Sequence, residues 1–344
     1  MSPHIKPEKP TRLHYCQYLL STQINYTLTN YAEHVAEVTH DTVNRYLRDD
    51  KLTPKLMWEH TRENINYSAN GYILFDDSVL DKGHSNKIES VRWQYSGNAH
   101  GVIKGIGLVN CVYVNPETNE YWSIDYRIFD PDIDGKSKMD HVTDMLNNAF
   151  YAKELPFSTV LVDSWYASNK MMLTIHNLNK KFYCPVKRNR LAKKFDSNDD
   201  YTQILKLEWT EDELKCGKPI RLKGMPRDFV MRMYRVPIST NRTDYVVTND
   251  TSQICTDDVQ KVCAIRWYIE QFHREIKQLT GVEKCQCRKR RIQRNHIACS
   301  LLVWARLKKL AYDTGTTMYK LKSNLLKEYL IQELKSPRVE MSFA

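Results

Sequence analysis

No apolar run in this chain approaches the roughly 18 residues that a membrane-spanning helix requires, which sets that class aside. The opening stretch Met1-Ser-Pro-His-Ile-Lys-Pro-Glu-Lys-Pro10 lacks the apolar centre of a secretion signal. The cysteines number nine, an odd count in a long chain, so a secreted disulfide framework is not expected. A reducing compartment is the default, and the expected location is cytoplasmic. Internal repeats and long low-complexity segments are also missing.

What is present is basic. Lys and Arg number 51 against 41 Asp and Glu, a net charge of +10, which favours an anionic partner. A length of 344 residues suffices for one large domain with smaller ones attached. The 21 tyrosines and 7 tryptophans either fill a core or, where exposed, stack on bases.

Residues 11–65 read as helical. Tyr31, Ala32, Val35, Val38, Val43 and Leu47 are apolar at mixed three- and four-residue steps, and Thr39 suits the N-cap of Asp41–Arg48. The run Tyr31–Leu47 is similar to a helix-turn-helix without the common turn glycine, which makes Arg45 a candidate DNA contact. A plain three-helix packing domain is the competing reading. From Gly71 the period changes. Tyr72–Phe75 is a short apolar run ending in Asp76-Asp77-Ser78, as a buried strand delivering acids at its C-terminal end would be. Val102–Val114 and Tyr121–Phe129 read as a hairpin around Asn115–Asn119. Residues 138–153 look helical. Thr159–Val162 is another buried strand, ending in Asp163-Ser164 and leading to a helix as far as Leu178; Phe182–Val186 is a fifth strand. Residues 188–250 are polar with strand-like pieces at Phe229–Val236 and Asp244–Val247, and two helices follow, near Asp257–Leu279 and Gln293–Tyr312. This order predicts an α/β fold, a mixed sheet with helices on its faces.

The segment Arg266–Lys277 carries most information. Taken as a helix at ~100° per residue, Ile265, Ile269, Phe272, Ile276 and Leu279 form an apolar stripe. Arg266, Glu270, His273 and Lys277 form a second stripe one residue further on, a carboxylate set between cations beside a core face. If the strands ending in Asp77 (or Asp76) and Asp163 are parallel neighbours, their acids meet at one sheet edge, where ligands bind in open α/β sheets. Clustered carboxylates repel unless a hard divalent cation joins them. Two such ions ~3.5–4 Å apart can activate a nucleophilic oxygen and stabilise the leaving oxygen of a phosphodiester.

The motif Arg266-Trp-Tyr-Ile-Glu270-Gln-Phe-His-Arg-Glu-Ile-Lys277, continued by Gly281-x-Glu283-x-x-Gln286-x-Arg288, resembles the C-terminal signature of DDE transposases of bacterial insertion sequences. The group is the cut-and-paste one marked by Tyr-x2-Arg-x3-Glu-x6-Lys. Asp76-Asp77-Ser78 resembles its first acidic motif, and Leu161-Val162-Asp163-Ser164-Trp165-Tyr166 its second. The resemblance implies an RNase H-like core in which Asp77, Asp163 and Glu270 hold two Mg²⁺, with Mn²⁺ able to substitute. It favours Asp77 over Asp76 as the first ligand. Arg266 and Lys277 would contact transposon-end phosphates beside His273, and Trp209 in the insertion would stack on a flipped base; core packing is the alternative for Trp209. Cys263 stands at the signature tyrosine, and Tyr268 could replace that tyrosine only from another helical face.

The implied protein is a DNA transposase acting as a homodimer on terminal inverted repeats and target DNA, nucleoid-associated in a bacterial cytoplasm. A metal-activated water would free a 3′-OH, which would then attack a second phosphodiester. The rivals are an RNase H-like endonuclease without strand transfer and a non-catalytic DNA-binding protein derived from a transposase. Cys285-x-Cys287 with His296 and Cys299 fits no common zinc spacing. The run Arg288–Arg294 is either a solvated face or a contact to the DNA backbone. The expected division is 1–65 end-binding helices, 66–187 and 251–313 catalytic core, 188–250 inserted β-rich subdomain, and a 314–344 tail for dimerisation or DNA contact.

Overall fold

The computed structural model describes residues 10–85, 87–239 and 242–339. Its strands are β1 Tyr72–Asp81, β2 Arg92–Ser96, β3 Gly101–Asn115, β4 Glu120–Phe129, β5 Thr159–Val162, β6 Lys181–Val186, β7 Leu191–Lys194, β8 Thr202–Gln203, β9 Lys218–Leu222, β10 Met231–Ser239 and β11 Arg242–Thr248. Its α-helices are α1 Arg12–Ser21, α2 Leu28–Glu33, α3 His40–Asp49, α4 Pro54–Thr61, α5 Pro131–Asp134, α6 Lys138–Asn147, α7 Asn169–Asn177, α8 Glu211–Cys216, α9 Thr256–Ala264, α10 Trp267–Leu279, α11 Arg290–Thr314, α12 Met318–Asn324 and α13 Lys327–Lys335. The chain divides into two compact units: residues 65–78 with 107–271, and residues up to 64 with 79–106 and 272 onward.

The first unit is organised by a mixed sheet. β3 and β4 form the antiparallel hairpin expected from the alternating run, and β1 lies next to β3 in the strand order. β5 then pairs in parallel with β1, and β6 in parallel with β5. This sequence, a meander followed by two parallel strands reached through helices, is that of an RNase H-like sheet. Apolar runs make the central strands: every residue of β5 is buried, and so are Ile73, Leu74 and Phe75 of β1. Ser137 starts α6 by accepting from the Asp140 amide, and Asp140 returns the bond in a capping box. α6 packs on β4, and α7 on β6, burying Met171, Met172 and Ile175. The polar stretch 188–250 is β-rich and continues the same sheet, because β11 pairs antiparallel with β6 and carries β10, β9, β7 and β8 outward.

The second unit is arranged on α11, which touches α1, α3, α4 and α12. Its His296 ring is held between the Tyr15 hydroxyl at 2.9 Å and the Gly281 carbonyl at 3.0 Å. Gly281 has φ +66°, and a Cβ there would collide with the Tyr26 ring, so the residue is fixed by both backbone and space. Thr39 caps α3 as its sequence indicates. The turn before it lacks glycine, and Glu37 takes the left-handed φ of +63° instead. The lysine-rich tail forms α12 and α13.

One sequence expectation is corrected here. A single helix over Asp257–Leu279 is in fact two, because the amides of Ile265, Arg266, Tyr268 and Ile269 bond three residues back and tighten the chain into a turn. Ile265 is only half-buried as a result, while Ile269, Phe272, Ile276 and Leu279 keep the apolar stripe. Arg266 lies in the break.

Candidate active site

The strand expected to end at Phe75 continues through Asp76 and Asp77 to Asp81. Its pairing with β5 stops at Phe75 opposite Val162, so Asp76, within β1, and Asp163, just past β5, are the next residues on neighbouring strands. Burial pushes the Asp76 carboxyl up to about 7, with the charges of Asp163 and Asp77 adding to the effect. Arg266 and the Asp77 amide, 2.8 Å from the Asp76 carboxylate, oppose it. Asp77 is differently placed. Its carboxylate accepts from Lys138 Nζ at 2.6 Å and from the Tyr166 hydroxyl at 2.6 Å. Tyr166 is buried, and its phenol is held far above the ordinary range by burial and then by Asp77, Asp76 and Asp163. The Asp163 carboxylate accepts from the Trp165 amide, which fixes the loop that carries it.

Glu270 is exposed on the first turn of α10 and accepts from Arg266 Nη2 at 3.3 Å. Arg266 thus acts on Asp76 and on Glu270 together. Beside Asp163 a cavity of about 230 Å³ is lined by Lys187, Arg188, Arg266, Asp244 and Tyr245. Its three cations stand next to an acid, an arrangement suited to a phosphodiester lying against a metal-bound carboxylate. Carboxylate oxygens of which one is raised by burial and then by its neighbours' charge are donors of the right chemistry for Mg²⁺ or Mn²⁺. Among the described residues, however, no three His, Cys, Asp or Glu side chains converge closely enough to hold an ion. Glu270 is held by Arg266 instead.

The remaining candidates from the sequence lie elsewhere. Lys277 Nζ donates to the Val79 carbonyl at 2.8 Å and pairs with Glu283 at 3.0 Å. His273 is buried, its ring beside Phe272, and is not displayed to solvent. Arg288 and Arg45 are exposed. Trp209 is half-buried, 6.4 Å from the Tyr245 ring and with Lys218 Nζ 5.0 Å from its own. It is therefore one ring removed from the cavity that Tyr245 lines. The Cys263 thiol is pushed up to about 12 by burial against Arg266. Tyr268 is committed to the β3–β4 turn, donating to Asn119 at 3.1 Å with its ring 5.0 Å from Tyr121.

Sequence reasoning missed Lys138, Lys187 and Arg188. Lys138 follows a capping serine with no other mark, and nothing in the sequence ties it to Asp77. Lys187 and Arg188 were visible as the basic pair directly after a buried strand, the same kind of position that identified the acids.

A mixed sheet of this order, with one acid inside the central strand β1 and a second just past the end of its parallel neighbour β5, defines an RNase H-like protein. The chain belongs to the DDE transposase family: the family model described as a transposase DDE domain matches residues 71–305. Comparison with curated proteins gives no match. Among solved structures, a piggyBac transposase synaptic complex with hairpin DNA is similar at 10% identity and a TM-score of 0.49, over 96% of this chain and 73% of that one. Endonuclease V from Bacillus subtilis gives 11% identity and 0.27 over 70% and 95%, respectively. A pre-cleavage Mos1 transpososome gives 12% and 0.16 over 51% and 60%. These scores are too low to add to the family assignment.

Proposed function

We propose that this DNA transposase binds the terminal inverted repeats of its insertion sequence as a homodimer and performs divalent-metal-dependent cleavage and strand transfer. The observation that carries the reading is the meeting of Asp76, inside β1, with Asp163, just past the end of the parallel strand β5, with Arg266 and a basic cavity beside them. The carboxylates of Asp163, Glu270 and the Asp76–Asp77 pair would hold the metal. Bound there, Mg²⁺ activates the attacking oxygen and neutralises charge on the leaving one. The sequence reading favours Asp77 as the first ligand; the geometry gives Asp76 the stronger claim. Asp76 bears the repulsion of Asp163, whereas both Asp77 oxygens are already occupied by Lys138 and Tyr166. Asp77 then positions this part of β1 through its bonds with Lys138 and Tyr166. Arg266, Lys187 and Arg188 would orient the scissile phosphate in line, which is most of what protein groups do in phosphoryl transfer. Glu270 joins the site by leaving Arg266, which frees that guanidinium for phosphate.

The Asp76 shift gives a test that does not depend on DNA. Its folded value near 7 lies above the ordinary 3.8. Below pH 4 both folded and unfolded states carry the proton and nothing is lost. As pH rises from 4 to 7 the unfolded chain ionises first, so stability falls, and above 7 the full penalty, on the order of 2–4 kcal/mol, is present. A bound cation relieves it. Mg²⁺ or Mn²⁺ should therefore raise the melting temperature more at pH 8 than at pH 5. Asp76→Asn should stabilise the metal-free protein at pH 8 and lose most of the metal response, while Asp77→Asn keeps more of it. Equal metal shifts at both pH values, or a response unchanged in Asp76→Asn, would contradict the assignment.

A further inference from the structure

The α11 unit contains a cleft of about 420 Å³ bordered by the end of α3, the loop into α4 and the first turn of α11. Six cations line it: Arg48, Lys51, Lys289, Arg290, Arg291 and Arg294. The carboxylate among them is Glu89, which accepts from Lys289 Nζ at 3.1 Å and from the Arg290 amide at 2.9 Å. Arg48 is paired with Asp49 at 2.7 Å, and Arg45 and Arg291 add to the positive field on that acid. Lys51, Arg291 and Arg294 are exposed and enter no ion pair among the described residues. They leave the cleft with positive charge in excess.

Its shape is held from beneath. Asn295, 1% exposed, donates to the carbonyls of Leu47 and Asp50, each at 2.7 Å, and accepts from the Leu52 amide at 3.1 Å. One buried amide thereby ties the α3–α4 loop to α11, so cations from distant parts of the chain stay in register. The positive end of the 25-residue α11 faces the same space. Thr53, at the start of α4, makes no capping bond with its side chain.

We infer that this cleft grips the sugar–phosphate backbone of duplex DNA, independently of base sequence and away from the phosphate that reacts. The inference rests on the transposase reading above and adds a contact surface to it. Guanidinium and ammonium groups match phosphate oxygens. Asn295, the lining amide that could read an adenine edge, is fully used by the backbone. The spread of cations from Lys51 across to Arg294, one turn along α11 from Arg290, suits successive phosphates rather than one small anion. Contacts of this kind position a protein on DNA without informing it of sequence.

The test compares the full-length protein with Arg291→Ala/Arg294→Ala by fluorescence anisotropy. The probes are two labelled duplexes, one carrying the terminal repeat and one of unrelated sequence, measured over a range of NaCl concentrations. Each lost phosphate contact removes about 0.9 from the log–log salt slope, so the double variant should be shallower by about 2. Its affinity should fall by the same factor for both duplexes. Lys51→Ala, on the loop, should shift the slope by about 1 and serves if the helix variant fails to fold. An unchanged slope, or a loss confined to the repeat, overturns the inference while leaving the transposase reading intact. Absence of binding to either duplex by the unmodified protein overturns that reading and the inference with it.

Discussion

Asp163→Asn is expected to abolish metal-dependent cleavage of DNA carrying the terminal repeats while leaving repeat binding unchanged. Asparagine keeps the shape and, through its carbonyl oxygen, the acceptor for the Trp165 amide, so the loop at the end of β5 should hold. What it removes is one of the two charges that meet at the sheet edge. The metal contributes several kcal/mol to such a transition state. A loss of roughly 10³-fold or more in cleavage rate should follow, at ten-fold per 1.36 kcal/mol. The substitution leaves every cation in place, including Lys187, Arg188 and Arg266 beside Asp163, so gel-shift titrations of the two proteins should superimpose. Retained cleavage in Mg²⁺ by the variant would remove Asp163 from the site. Loss of binding together with cleavage would make Asp163 a structural residue.

Glu275→Ala should be strongly destabilising. This second glutamate of the Arg266–Lys277 segment is 4% exposed; its oxygens accept from Trp304 Nε1 at 2.8 Å and from Lys308 Nζ at 3.2 Å. Burial has already brought the Lys308 ammonium down to about 8, with Glu275 as the charge that opposes the shift. Removing the carboxylate takes away the acceptor that the buried ammonium and the indole N–H share. Breaking a buried pair in this way costs about 3–5 kcal/mol. At roughly 2–4 °C per kcal/mol, the scale for domains of about 150–250 residues, the melting temperature should drop by about 6–20 °C. Glu275→Leu combined with Lys308→Met should recover much of the loss, since an apolar pair carries no desolvation penalty. A drop under about 1 °C in Glu275→Ala would show that the pair contributes nothing net.

The two glutamates show how far a linear sequence can be read. Glu270 and Glu275 are alike in composition, yet five residues on a helix turn them to different faces. The apolar stripe of Ile269, Phe272, Ile276 and Leu279 was enough to place Glu270 at the core's edge. The acids that follow apolar runs were legible for a similar reason, but only Asp163 stands at the end of its strand. Asp76 and Asp77 interrupt the apolar run of β1 without ending it, because the strand continues to Asp81. The parallel pairing of β1 with β5 stood only as a condition on the sequence; the fold supplies it through a connection that contains α6. The break at Ile265 and Arg266 was not legible. Apolar periodicity runs through it, and the tightened turn depends on backbone bonds that no side chain announces. His273 and Lys277 share Glu270's stripe, but the stripe's width was misjudged on the core side. His273 lies inside, and Lys277 is engaged by Val79 and Glu283, residues separated from it in sequence in the first case and by a bend at Gly281 in the second. Lys138 reaches Asp77 only through the fold, 61 positions away along the chain.

What separates a transposase from a plain nuclease with the same acids is joining. Purified protein incubated with pre-cut terminal-repeat ends, a supercoiled target plasmid and Mg²⁺ should yield covalently joined products. None should form in chelator or with Asp163→Asn. Nicking of the plasmid in Mg²⁺ with no joined product would contradict strand transfer and leave an endonuclease; neither nicking nor joining would leave a protein that binds DNA without reacting with it.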